Sequence, residues 1–183
     1  MRYAAFFRNV NLGRGTSPGR ELLERAFAEA GAGAPASFQV NGTLAFDARG
    51  DAAAARIAAA ACVHMAAACG LAEPVFVRRL DALAALVAAA PFDGRRAEDV
   101  YEYCVSFLHA ALPPLPDDPA FATPRGEVEL IGYDAGCHAV LSLSRKPTLS
   151  PGSPNALLEQ RLGLPATTRN WGTIARLVAR FAA

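Results

Sequence analysis

The residues best suited to chemistry lie in two stretches at opposite ends of the chain. Arg8, Asn11 and the Gly13-Arg14-Gly15 loop follow a short apolar run near the start, and Arg169-Asn170 precedes the last amphipathic run. Guanidinium groups donate in a planar fork that fits a carboxylate or phosphate, and Asn amides add neutral donors. A glycine-containing loop between a strand and a helix N-terminus can turn backbone N–H groups toward an anion. Asn41, in an Asn-Gly turn, supplies a further amide. Arg8, Asn11, Gly13, Gly15, Asn41, Arg169 and Asn170 therefore form the candidate ligand-binding set, for a small phosphate- or carboxylate-bearing molecule. The competing reading is that they cap loops and tie the last helix to the first strand, since Asn and Arg readily satisfy stray carbonyls.

Other chemistries find less support. The Gly13-Arg14-Gly15 loop lacks the third glycine of a dinucleotide fingerprint and the Lys-Ser/Thr of a Walker loop. His64 sits in an alanine-rich helix, while His109 and His138 sit at strands, and nothing pairs them with a cysteine as a dyad. His138 and adjacent Cys137 would point to opposite faces of a strand. Glu127 and Glu129 share one strand face, as a solvated edge would. No catalytic residue, metal site or cofactor is expected. Cys62 and Cys69 are two helical turns apart, about 10 Å, beyond disulfide reach. All four cysteines are expected as reduced thiols. The expected function is a binding module for a small anionic ligand, leaning away from an enzyme. An enzyme of unknown reaction and a protein or nucleic-acid interaction module are the alternatives.

These residues must be positioned by elements that the pattern announces. Arg2 to Phe7 reads as a strand, and Leu22, Leu23, Ala26, Phe27 and Ala30 recur at helical spacing after a Ser17-Pro18 cap signal. Ser37 to Val40 and Thr43 to Asp47 read as a hairpin closed by a two-residue Asn41-Gly42 turn. Asp51 caps a helix striped by Ile57, Ala61 and Met65 and stopped at Gly70. Pro74 to Arg79 alternates as a strand. The order strand, helix, strand, strand, helix, strand is the split-βαβ, ferredoxin-like plait.

Beyond it come a helix over Asp81 to Ala90, a strand over Tyr103 to Leu108 and a proline-rich loop over Pro113 to Pro119. Strands over Glu127 to Tyr133 and Cys137 to Ser144, a helix capped by Ser153-Pro154 and ended at Gly163, and a last helix from Trp171 to Phe181 complete the chain. Trp171 reads as a core anchor of that helix. The fold class is thus α+β, two ferredoxin-like halves, the second degenerate, with a C-terminal amphipathic helix. The boundary falls between 1–79 and 80–183, with both parts sharing one compact unit.

Composition sets outer bounds. A 52% hydrophobic share can bury a core without disulfides or metals. A net charge of +1 provides no field for polyanions. The hairpin strand Thr43-Leu44-Ala45-Phe46 lacks the aromatic-glycine-aromatic pattern of a plait that stacks RNA bases, so nucleic acid is not expected. The apolar run Tyr3 to Phe7 is too short for a signal core, and Ala52 to Cys69 is mostly alanine with Arg56 and His64, so no membrane partner and a cytoplasmic location are expected. Nothing in the residues speaks to oligomeric state.

The opening Tyr3-Ala4-Ala5-Phe6-Phe7-Arg8-Asn9-Val10-Asn11-Leu12-Gly13 and the closing Thr167-Thr168-Arg169-Asn170-Trp171-Gly172-Thr173 resemble the bacterial domain-of-unknown-function family numbered 1697. That family opens on an Arg-Gly-x-Asn-x-Gly-like pattern and closes on Thr-x-Arg-Asn-Trp-Asn-Thr. Asn9 stands where the family usually has Gly, and Asn41-Gly42-Thr43 replaces its Ser-Gly-Asn. The resemblance implies two plait-like α+β halves and no particular reaction.

Overall fold

The computed structural model describes residues 1–15, 17–95, 100–109, 126–145 and 151–182, so the proline-rich loop expected at 113–119 lies outside the described residues. The chain divides into two units: Met1–Asp81 with Phe181–Ala183, and Ala82–Arg180.

The first unit runs β1 (Arg2–Phe7), α1 (Arg20–Glu29), β2 (Gly33–Phe38), β3 (Thr43–Asp47), α2 (Asp51–Cys69) and β4 (Val75–Arg79). Its sheet is wholly antiparallel in the order β2-β3-β1-β4, the arrangement of a split βαβ plait. Period-2 alternation sends Tyr3, Ala5 and Phe7 of β1 toward the helices. There they join Leu44, Phe46, Leu23, Phe27, Ile57, Ala61 and Met65 in one core. The ring of Phe27 lies 6.2 Å from Phe7 and 5.1 Å from Phe46. The opposite face, with Ala4, Phe6, Thr43, Ala45, Phe76 and Arg78, is buried as well. Both faces dry is why β1 reads as a continuous apolar run. Helix α2 is long and apolar enough by composition to cross a bilayer, yet Ala54, Ile57, Ala58, Ala61 and Met65 pack into this core.

The second unit contains most of α3 (Leu80–Ala88), then β5 (Val100–Leu108), β6 (Val128–Asp134), β7 (Ala139–Arg145), α4 (Pro154–Leu162), β8 (Ala166–Asn170) and α5 (Trp171–Phe181). Its sheet order, β6-β7-β5-β8, repeats the first with β5 in the place of β1. Residues 110–125, between β5 and β6, lie outside the described residues. Leu108, Val140, Leu158 and Ala166 form the core beneath α4.

The repeat extends to single bonds. The N–H of Phe7 donates to Gly42 O at 2.8 Å, and that of Leu108 to His138 O at 3.1 Å. Both acceptor residues hold positive φ, +67° and +44°. In each unit the fourth strand has five residues, carries a buried arginine at the fourth and passes directly into a helix. Arg78 pairs across from Ala4 and Arg169 from Val105. Each guanidinium Nη1 donates to the preceding carbonyl, Val77 O at 2.7 Å and Thr168 O at 2.9 Å.

Local details depart from the residue pattern. Ser17 does not cap α1, which begins after Gly19; its Oγ accepts from the N–H of Asn11 at 3.1 Å and pins the preceding loop. Asp51 lies inside α2 and accepts from the Tyr3 hydroxyl at 2.8 Å, leaving Gly50 as the cap. The β2–β3 connection holds four residues, 39–42, because Phe38 pairs with Thr43 and Gln39 takes φ +59°. Val40 is thereby left exposed. Ser153 does cap α4, accepting from the N–H of Ala156, and Gly163 closes that helix in the left-handed region. Trp171 is half-buried, its ring 5.1 Å from Phe92, and the buried seam of α5 is Thr173, Ile174 and Leu177.

Candidate functional site

Five of the seven candidate residues lie together at one end of the first sheet. β1 delivers Arg8 and the loop through Gly15, and the 39–42 turn is bound to that loop by Phe7 N–H to Gly42 O and by Leu12 N–H to Val40 O, 2.7 Å. Gly42 is required there: a Cβ would stand 2.7 Å from Val10 Cβ. Within the turn, Thr43 Oγ1 donates to Asn41 Oδ1 at 2.8 Å, and Asn41 Nδ2 to Gln39 Oε1 at 3.3 Å.

The loop does not form a bare cradle of amides. The N–H groups of Gly13, Arg14 and Ser17 donate to Pro18, Asn11 and Arg14 carbonyls, and that of Asn11 to Ser17. These four donors are therefore already used within the loop. Arg8 Nη1 pairs with Glu73 Oε2 at 3.0 Å, and Asn9 Nδ2 donates to Glu73 Oε1 at 3.2 Å. Both members of the ion pair keep about a quarter of their side-chain surface open, 26% and 29%. Asn11 and Arg14 are exposed, and neither side chain has a partner among the described residues. Glu73 and Arg14 were absent from the sequence-derived set. Arg14 lies inside the loop that the sequence singles out, whereas Glu73, 65 residues from Arg8, leaves no signal in the spacing.

Arg169 and Asn170 belong to the second unit. Arg169 is 7% exposed and donates to Thr167 Oγ1 and Thr168 O, both at 2.9 Å. Burial lowers its pKa to about 10, because the charged form loses hydration. Asn170 Oδ1 accepts from the N–H of Gly172 at 2.7 Å, the bond that starts α5. Beside them Thr168 Oγ1 meets Ser106 Oγ at 2.7 Å and Asn155 Oδ1 at 3.1 Å.

The remaining reactive groups are held apart. His64 Nδ1 lies 3.1 Å from Glu29 Oε2, and His138 Nδ1 lies 3.1 Å from the Tyr133 hydroxyl. All four cysteines are free. Burial, with Glu102 nearby, pushes the Cys104 thiol up to about 12, and burial raises Cys62. Among the described residues no three His, Cys, Asp or Glu side chains gather as a metal site. The residue pattern also gave no sign of an open cavity of about 970 Å³ at the other end of the first sheet, where Arg49 and Arg56 stand.

Comparison with curated proteins gives no match. Among solved structures, a conserved bacterial protein from Streptococcus pneumoniae is similar at 15% identity and a TM-score of 0.63, over 97% of each chain. That likeness is one of fold. The family model described as "Protein of unknown function (DUF1697)" matches residues 1–130. The chain therefore belongs to the DUF1697 family of proteins of unknown function.

Proposed function

We propose that this protein is a non-catalytic binding module for a small anionic, phosphate- or carboxylate-bearing ligand, taken up at the 8–15 and 39–42 edge of the first unit. One observation carries this reading: the two units repeat their bonds, but not these side chains. The buried arginine of the fourth strand is present twice, as Arg78 and Arg169, with the same carbonyl contact, which suits a structural tie. By the shared register, the counterpart of Arg8 in the second unit is His109, and that of Glu73 is Leu164. The Arg8–Glu73–Asn9 cluster is thus an addition to the fold. It stands beside two exposed side chains, Asn11 and Arg14, that keep their donors.

Arg14 supplies the ligand's main charge contact in this reading, with Asn11 and Arg8 beside it. Two charge-assisted hydrogen bonds of about 1.5–3 kcal/mol each correspond to millimolar to micromolar affinity. A cytoplasmic setting belongs to the same proposal and is supported by the four free thiols. The test is a backbone-amide NMR titration of the full chain with inorganic phosphate, pyrophosphate and small dicarboxylates. Shifts are expected at residues 8–15 and 39–42, with Arg14→Ala weakening binding about tenfold. Absence of shifts there with every anion, or equal affinity in Arg14→Ala, would refute the proposal.

A further inference from the structure

Where β1 and β2 begin and β3 ends, the first unit opens into the 970 Å³ cavity. One wall is apolar: Ala30 at the end of α1 faces Ala53, Ile57 and Ala60, which recur along one side of α2. The charged groups at the rim are unequally engaged. Asp47 is held by Arg2 Nη1 at 3.0 Å, and Asp51 accepts from the Tyr3 hydroxyl at 2.8 Å, so both acids have partners inside the unit. Arg49 and Arg56 have no side-chain partner among the described residues. Of the four charged side chains that line the cavity, the two carboxylates are thus engaged within the unit and the two guanidiniums are not. Pockets of this size, with apolar walls and a few polar groups, are the usual form of small-molecule sites.

We propose that this cavity is a second binding site, distinct from the loop edge, for a small amphiphilic anion. Its apolar body lies on Ala30, Ala53, Ile57 and Ala60, and its carboxylate or phosphate head meets Arg49 and Arg56. A head alone would leave the alanine wall wet, and an apolar body alone would leave the two guanidiniums unused. Selectivity for the combination is therefore the signature of the site.

The experiment is NMR titration of the full chain with octanoate below its micelle concentration, against acetate, octylammonium and octyl phosphate. Octanoate is expected to shift amides in 30–33 and 47–60, with acetate and octylammonium binding at least about tenfold more weakly. Tighter binding of octyl phosphate supports the site with a phosphate head, and tighter binding of octanoate supports it with a carboxylate head. Arg49→Ala/Arg56→Ala is expected to weaken octanoate about tenfold or more, and Ala60→Trp to block it, with amide dispersion confirming that both variants fold. Octylammonium binding as tightly as octanoate would overturn the proposal, as would unchanged affinity in the arginine variant. Shifts confined to residues 8–15 and 39–42 would overturn it while leaving the loop-edge reading standing.

Discussion

Cys104 is 2% exposed in the middle of β5, and its thiol is held near 12 against an ordinary 9. The thiolate is the reactive form, so this cysteine resists alkylation in the native protein. Its raised folded-state pKa also fixes a sign. The folded chain retains a proton that the unfolded chain releases above about pH 9, so stability is intact below pH 9 and falls toward pH 12. Burial raises Tyr3 to about 12, with its bond to Asp51 adding to the shift, which steepens the fall above pH 10. Arg169, lowered to about 10, opposes that trend above pH 10. The window from 9 to 10 thus isolates the thiols. Melting temperature is expected to drop across it, and Cys104→Ala to make the drop shallower. An unchanged slope in the variant would remove Cys104 as its cause.

At the scale of elements, turns and caps differ in how much neighbouring structure they carry. Gly42 needs both a positive φ and the missing Cβ, whereas Gly13 needs the φ alone, with nothing within 4 Å of a Cβ added there. Gly13→Ala is expected to cost about 1 kcal/mol, and Gly42→Ala about 2–4 kcal/mol, the larger part from overpacking against Val10. Denaturant unfolding of the two variants checks the ordering. Ser153→Ala removes the side-chain cap of α4 and is expected to cost about 1 kcal/mol. Ser17→Ala leaves α1 without change in its cap, because Ser17 anchors the 11–17 loop instead.

Across the whole molecule, the repeat separates structure from candidate function. Two sheets of identical strand order share the bond at the end of their first strand and the arginine of their fourth, which a packed plait would retain for stability. Arg78→Ala and Arg169→Ala are therefore expected to destabilise alike, by about 2 kcal/mol or more through lost packing and an orphaned carbonyl. Arg14→Ala, on an exposed loop, should stay within about 0.5 kcal/mol of the parent protein. Equilibrium unfolding measures all three. A large loss in one buried-arginine variant and none in the other would break the equivalence of the two positions.

Residue order by itself determined the α+β class, the element sequence of the first unit, the Ser153-Pro154 start and Gly163 stop of α4, and the family. Those features rest on local periodicity and on capping chemistry within a few residues. Tertiary structure alone decided the rest. Ala166-Thr167-Thr168-Arg169-Asn170 lacks apolar alternation and becomes a strand because β5 offers it an open edge. The four-residue turn at 39–42 replaces a two-residue one because Leu12 and Phe7 bind its carbonyls. Glu73 reaches Arg8 across 65 residues, and Arg49 and Arg56 line one cavity walled by two helices. Pairing and concavity arise between segments distant in the chain, where spacing along the sequence carries no information about proximity.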